Sequence, residues 1–97
     1  MKRYSLLLYF IVLQIFAFAQ TETSTKLVIE GIALNDNGDF AGALKKYDAA
    51  IADDPTNDKA FYEKTYTLYS MKRLEDCIDL CEQMTKKFPD SKILKGV

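Results

Sequence analysis

Two stretches of this chain are built to the same plan. Residues 24–57 written above residues 58–91 bring like positions together at a constant offset of 34. Pro55 falls on Pro89, Ala43 on Cys77, Leu44 on Ile78, Tyr47 on Cys81 and Ala50 on Met84. Upstream, Leu27 falls on Phe61, Gly31 on Thr65, Leu34 on Leu68 and Phe40 on Leu74. A fixed period of roughly 20 to 50 residues marks units that cannot bury an apolar face alone and must stack on a neighbour.

Within each unit the apolar residues follow helical spacing. Leu27, Gly31 and Leu34 lie at i, i+4 and i+7, and Ala43, Tyr47 and Ala50 repeat the pattern, giving two apolar stripes per unit. Between them runs Asn35-Asp36-Asn37-Gly38-Asp39, rich in residues that tolerate turns and left-handed backbone. Pro55 and Pro89 then end the second helix of each pair, since proline donates no backbone hydrogen bond and pushes the preceding residue out of the helical region. The spacing predicts helices near 25–36, 40–53, 58–71 and 74–88 and a short stub after 91, with Asn57, Asp58, Asp90 and Ser91 as candidate caps. Short side chains at Gly31, Ala43 and Ala50 let paired helices approach, and Leu27, Phe40, Tyr47, Phe61 and Leu74 fill the remaining space.

This pattern resembles the tetratricopeptide family, in which an aromatic or Leu, a Gly or Ala, and a Tyr are followed by Ala, an aromatic, Ala and Pro. The first unit matches through Gly31, Ala43, Tyr47, Ala50 and Pro55. The second departs at Thr65, Cys77 and Cys81, where the family pattern has a small residue, Ala and an aromatic. The resemblance implies an all-α chain with helix-turn-helix units over 24–57 and 58–91 and a truncated third unit or cap over 92–97, following a short tail over 20–23 and a leader that the residues of 1–19 themselves suggest. It also implies the start of a right-handed solenoid whose first helices line a concave groove for a peptide or protein.

By that resemblance the inward positions are Thr25, Val28, Ile32, Asn35 and Asp36 in the first unit, and Lys59, Tyr62, Tyr66, Tyr69 and Ser70 in the second. The family's carboxylate clamp for chaperone tails uses Lys and Asn where this chain has Val28 and Ile32, so that specificity is not expected. Val28, Ile32, Lys59, Tyr62, Tyr66 and Tyr69 are the candidate partner-binding residues, and Tyr62, Tyr66 and Tyr69 lie at i, i+4 and i+7 on one stripe. Tyrosine joins an apolar ring to a hydroxyl, which suits a surface that is wet when free and dry when bound. The same spacing also suits rings that cover a neighbouring helix.

Ahead of the repeats, Lys2 and Arg3 precede an apolar run from Leu6 to Phe16, interrupted by Gln14 and closed by Ala17-Phe18-Ala19. A basic start, a short apolar stretch and small residues at the end are the layout of a secretory signal peptide, with cleavage expected after Ala19. The run is shorter than the roughly 20 apolar residues a bilayer crossing needs, and no cysteine follows it to carry a lipid, so an exported protein without membrane insertion is expected, in a bacterial periplasm or envelope or secreted. The leader holds two of the 13 basic residues and none of the 14 acidic ones, leaving 11 against 14, a net charge of -3. Mild acidity without a basic block argues against nucleic acid as a partner.

The chain has no histidine, no phosphate-cradling glycine loop and no nucleophile elbow, so neither an enzyme nor a cofactor is expected. The densest carboxylates, Asp53-Asp54 and Glu75-Asp76-Asp79-Glu82, read as solvated faces and caps. Cys77 and Cys81 read as small core residues, because side chains one turn apart run parallel and a disulfide between them would strain the helix; two thiols are also too few to hold zinc. Two units fall short of the about three that repeat arrays need. The expected roles are therefore a non-enzymatic interaction scaffold, a homo-oligomerising element that binds through its open ends, or the first part of a longer exported protein.

Overall fold

The computed structural model describes residues 22–91, which form four helices and, among the described residues, no strand: α1 over 22–36, α2 Phe40–Asp53, α3 Asp58–Ser70 and α4 Leu74–Lys87. The expected leader and C-terminal stub lie outside the described residues. Each expected helix boundary agrees to within a residue except at the start of α1, where residues 22 and 23 are helical although they were expected in a tail.

The turns inside the two units are copies of each other. Gly38 N–H donates to Asn35 O at 3.0 Å and Asp39 N–H to Leu34 O at 2.9 Å; in the second unit Lys72 donates to Tyr69 O and Arg73 to Leu68 O, both at 2.9 Å. The repeated closure requires left-handed backbone at one position, φ 84° at Gly38 and φ 62° at Lys72. Glycine adopts it without cost, whereas a Cβ there meets the carbonyl oxygen and costs roughly 1–2 kcal/mol. A Cβ at Gly38 touches nothing within 4 Å, so Gly38→Ala isolates the backbone penalty. A loss of about 1 kcal/mol and a fall in melting temperature of about 4–8 °C are expected in a thermal melt followed by circular dichroism.

Asp39 caps α2 through Oδ1, which accepts from Gly42 N–H at 2.9 Å. Asn57 precedes α3 but makes no side-chain cap; its Nδ2 donates to Ser24 Oγ at 2.9 Å, and Ser24 Oγ donates to Ala50 O at 2.8 Å. Ser91 Oγ donates to Asp58 Oδ2 at 2.7 Å, one period later. The first and last residues of each unit are thus bonded to each other.

Two apolar clusters form the core, and α3 serves both. Val28, Ala43, Tyr47, Ala50 and Ala60 make the first; Phe61, Leu68, Leu80 and Met84 make the second. The bulk is placed differently in each unit. The first sets a large Tyr47 beside a small Ala50, and the second a small Cys81 beside a large Met84. In the first unit the Tyr47 ring lies against Gly31, where the absent side chain gives it room. In the second, Phe61 meets Phe88 edge to face with ring centroids 5.2 Å apart, and Lys87 Nζ sits 4.9 Å from the Phe61 centroid. Ion pairs cross between helices, Glu30–Lys46 at 2.9 Å from α1 to α2 and Asp48–Lys64 at 2.7 Å from α2 to α3.

Candidate functional site

The offset of 34 shows what is covered in one unit and open in the other. Val28, Ile32 and Asn35 of α1 correspond to Tyr62, Tyr66 and Tyr69 of α3. Val28 is 2 % exposed inside the first core cluster, Ile32 is half-buried against it, and Asn35 Oδ1 accepts from Thr67 Oγ1 of α3 at 2.8 Å. Their counterparts stand in the open: Tyr62 is 36 % exposed, Tyr66 53 % and Tyr69 64 %. The physical reason is stacking: α3 lies along the first unit, and no described helix lies along the second.

The same reasoning explains the α4 residues. Leu74 and Ile78, counterparts of the half-buried Phe40 and Leu44, are 54 % and 58 % exposed, and Cys81, counterpart of the fully buried Tyr47, is exposed. The core roles expected for Leu74 and Cys81 are therefore corrected, since the helix that would bury them is not among the described ones. Cys77 does pack against the second core cluster, and burial pushes its thiol pKa up, with the Cys81 thiol beside it acting in the same direction.

Of the six residues expected to bind a partner, the structure brings Tyr62, Tyr66 and Tyr69 together and leaves Lys59 exposed. Val28 is corrected from a contact residue to a core residue, because it is buried in one cluster with Ala43, Tyr47 and Ala50 of α2 and Ala60 of α3. Ile32 keeps only a partial face. Between the tyrosines and α4 lies a shallow, apolar cavity of about 200 Å³ lined by Tyr62, Thr65, Tyr66, Tyr69 and Cys77. Thr65 and Cys77 are the counterparts of Gly31, against which the Tyr47 ring rests, and of Ala43 in the same core cluster. Leu74 and Ile78 extend the apolar side beyond what the tyrosine stripe announced, and the offset itself could have found them, since each is the counterpart of a half-buried residue of α2.

Charge surrounds this side unevenly. Glu75 and Glu82 project from exposed positions on α4, while Asp76 is held by Arg73, Nη2 to Oδ2 at 2.7 Å. Across the α1–α3 seam, burial raises the Glu63 carboxyl pKa, opposed by Lys59 and assisted by Asp36. A second depression, of about 350 Å³ between α2, α3 and α4, is lined by Leu44, Leu68 and Leu80 together with Asp79 and two ion pairs, Asp48 with Lys64 and Arg73 with Asp76. No group of three or more acidic or thiol side chains that could hold a metal ion occurs among the described residues. No helix among them is long and apolar enough to cross a membrane.

Stacked helix pairs with a repeated turn and an exposed, largely apolar end face define a helical-repeat protein. The chain belongs to the tetratricopeptide repeat family, whose model matches residues 34–96. No curated protein and no solved structure matches it. Repeats of this family generally mediate protein–protein interaction and are typically not enzymes.

Proposed function

We propose that this chain is a non-enzymatic interaction module that takes a protein or peptide segment on the side of its second unit bearing Tyr62, Tyr66 and Tyr69. The observation that carries this reading is the contrast at a single register: positions buried or bonded in the first unit are aromatic and exposed in the second. Lys59 and the remaining face of Ile32 border that side on the groove formed by the first helices. Rings joined to hydroxyls, set beside an apolar cavity, give contact area with little side-chain entropy to lose on binding. The module works outside the cytoplasm, in the periplasm or envelope or in the medium; Lys2-Arg3, the apolar run and Ala17-Phe18-Ala19 support that address.

The test is affinity capture from envelope extract with the wild-type chain and with a Tyr62→Ala, Tyr66→Ala, Tyr69→Ala variant side by side. The expected outcome is a protein retained by the wild type and reduced at least about tenfold with the variant, as loss of aromatic anchors predicts, while far-UV circular dichroism stays the same. Loss of helicity in the variant, or equal recovery, overturns the reading. A second reading has two copies meeting with these sides face to face, favoured by the exposure of Leu74 and Ile78. Mass that rises with concentration in sedimentation, and falls back with Ile78→Glu, supports that one instead.

A further inference from the structure

We infer that the partner segment is an amphipathic helix lying parallel to α3 that sets a bulky apolar side chain into the tyrosine-lined cavity and a Lys or Arg against Glu82. The inference rests on the proposed function and gives the partner its chemistry. It follows from how α3 itself sits on the first unit. Ala60 enters the first core cluster, Lys64 reaches Asp48 of α2 at 2.7 Å, and Thr67 bonds Asn35 at 2.8 Å; these three lie at i, i+4 and i+7.

One period on, the receiving residues change in kind. Asp48 becomes Glu82, so an acid again faces the position that Lys64 occupies in the first seam. Tyr47 becomes Cys81, so no ring from α4 occupies the counterpart space, and a cavity of about 200 Å³ lies over Thr65 and Cys77. A helix docking in the α3 register therefore needs a large residue where α3 has Ala60, and keeps a base four positions later. Asn35 becomes Tyr69, whose hydroxyl can give or accept a bond at the third position.

The same register shows why a second copy is the wrong occupant in head-to-tail stacking. Its α1 would present Lys26 where the cavity needs an apolar group and Glu30 where Glu82 needs a base. Burying an ammonium in an apolar cavity and setting like charges together both oppose such a contact. Glu75 and Glu82, exposed on α4, add negative charge that steers a basic helix toward the site.

The experiment uses the full chain and alanine-based peptides of about 16 residues, long enough to hold helix in water. One carries Leu, Lys and Thr at i, i+4 and i+7; a second has Glu in place of the Lys; a third has Ala in place of the Leu. Titration calorimetry is expected to show the Leu–Lys peptide binding about fivefold or more tightly than either of the others. Glu82→Lys, at an exposed position that leaves the fold intact, is expected to invert the preference between the Lys and Glu peptides.

Equal binding of the Lys and Glu peptides, abolished by Tyr66→Ser, leaves the tyrosine surface standing and overturns the basic helix. No binding of any peptide to a folded chain removes both readings. Leu94, within residues 92–97, shares the register of Ala60. If Leu94→Ser tightens the Leu–Lys peptide tenfold, this chain's own terminus is the occupant and the inference is overturned.

Discussion

Tyr47→Ala is expected to lower the free energy of unfolding by about 3–5 kcal/mol, the range measured when a large core ring is truncated. A domain of this size has roughly 0.05–0.15 kcal/mol per residue in total, so the variant is expected to lose a large share of its stability and to unfold at a much lower urea concentration than the wild type. The ring is fully buried and joins residues of α1, α2 and α3 in one cluster, so its loss frees all three helices together. The partner in this arrangement is Gly31: a Cβ there would lie 2.5 Å from Tyr47 Cε1 and 2.8 Å from Cδ1, inside any permitted approach. Gly31→Ala in the wild type is therefore expected to cost about 1–3 kcal/mol by overpacking. In the Tyr47→Ala background the same change is expected to be neutral or to stabilise by up to about 1 kcal/mol, because alanine is the better helix former and nothing opposes it. Urea denaturation of the four chains closes the cycle; additive losses would mean the glycine and the ring do not share that space.

Phe61→Ala is expected to cost about 3–4 kcal/mol, combining truncation of a buried ring with the loss of its edge-to-face partner Phe88 and the overlying Lys87 ammonium. Its effect is expected to be uneven along the chain. Ala60, next to it, faces the first cluster, so α3 can stay docked on α1 and α2 while α4 comes loose. Stacked repeats touch only their neighbours, and this lets one end open while the other holds. Amide exchange by mass spectrometry is expected to show protection lost over 74–87 and kept over 40–53; uniform loss would show the two clusters to be one cooperative unit.

The sequence made the helices and turns legible because their signals are local. Pro55 and Pro89 end helices by removing a donor, and the Asn35 to Asp39 stretch carries its own turn chemistry, so the boundaries they set were readable to within a residue, unlike the start of α1. The second turn was readable only through the period: Lys72 holds the left-handed place of Gly38 although lysine does not advertise it. The candidate site was half legible. Spacing located the tyrosine stripe, but the exposure of a stripe depends on whether another helix lies across it. Val28 and Tyr62 share a register position and differ in burial because α3 covers one and no described helix covers the other. Leu74 and Cys81, expected in the interior, are exposed for the same reason in reverse.

The bond between the ends of each unit has a consequence for how such a chain can change over generations. Asn57 donates to Ser24 in the first unit and Ser91 donates to Asp58 in the second, so donor and acceptor stay at the same two places while the chemical groups differ. Each segment of 34 residues therefore brings its own fastening, and depends on no residue of the next segment to close. Duplication, deletion or exchange of whole segments at residues 57 and 91 leaves every fastening complete. What recombination leaves to be refitted is the face between neighbouring segments, where Ala60, Lys64 and Thr67 meet the first unit, and selection has that face to act on while each fastening is kept.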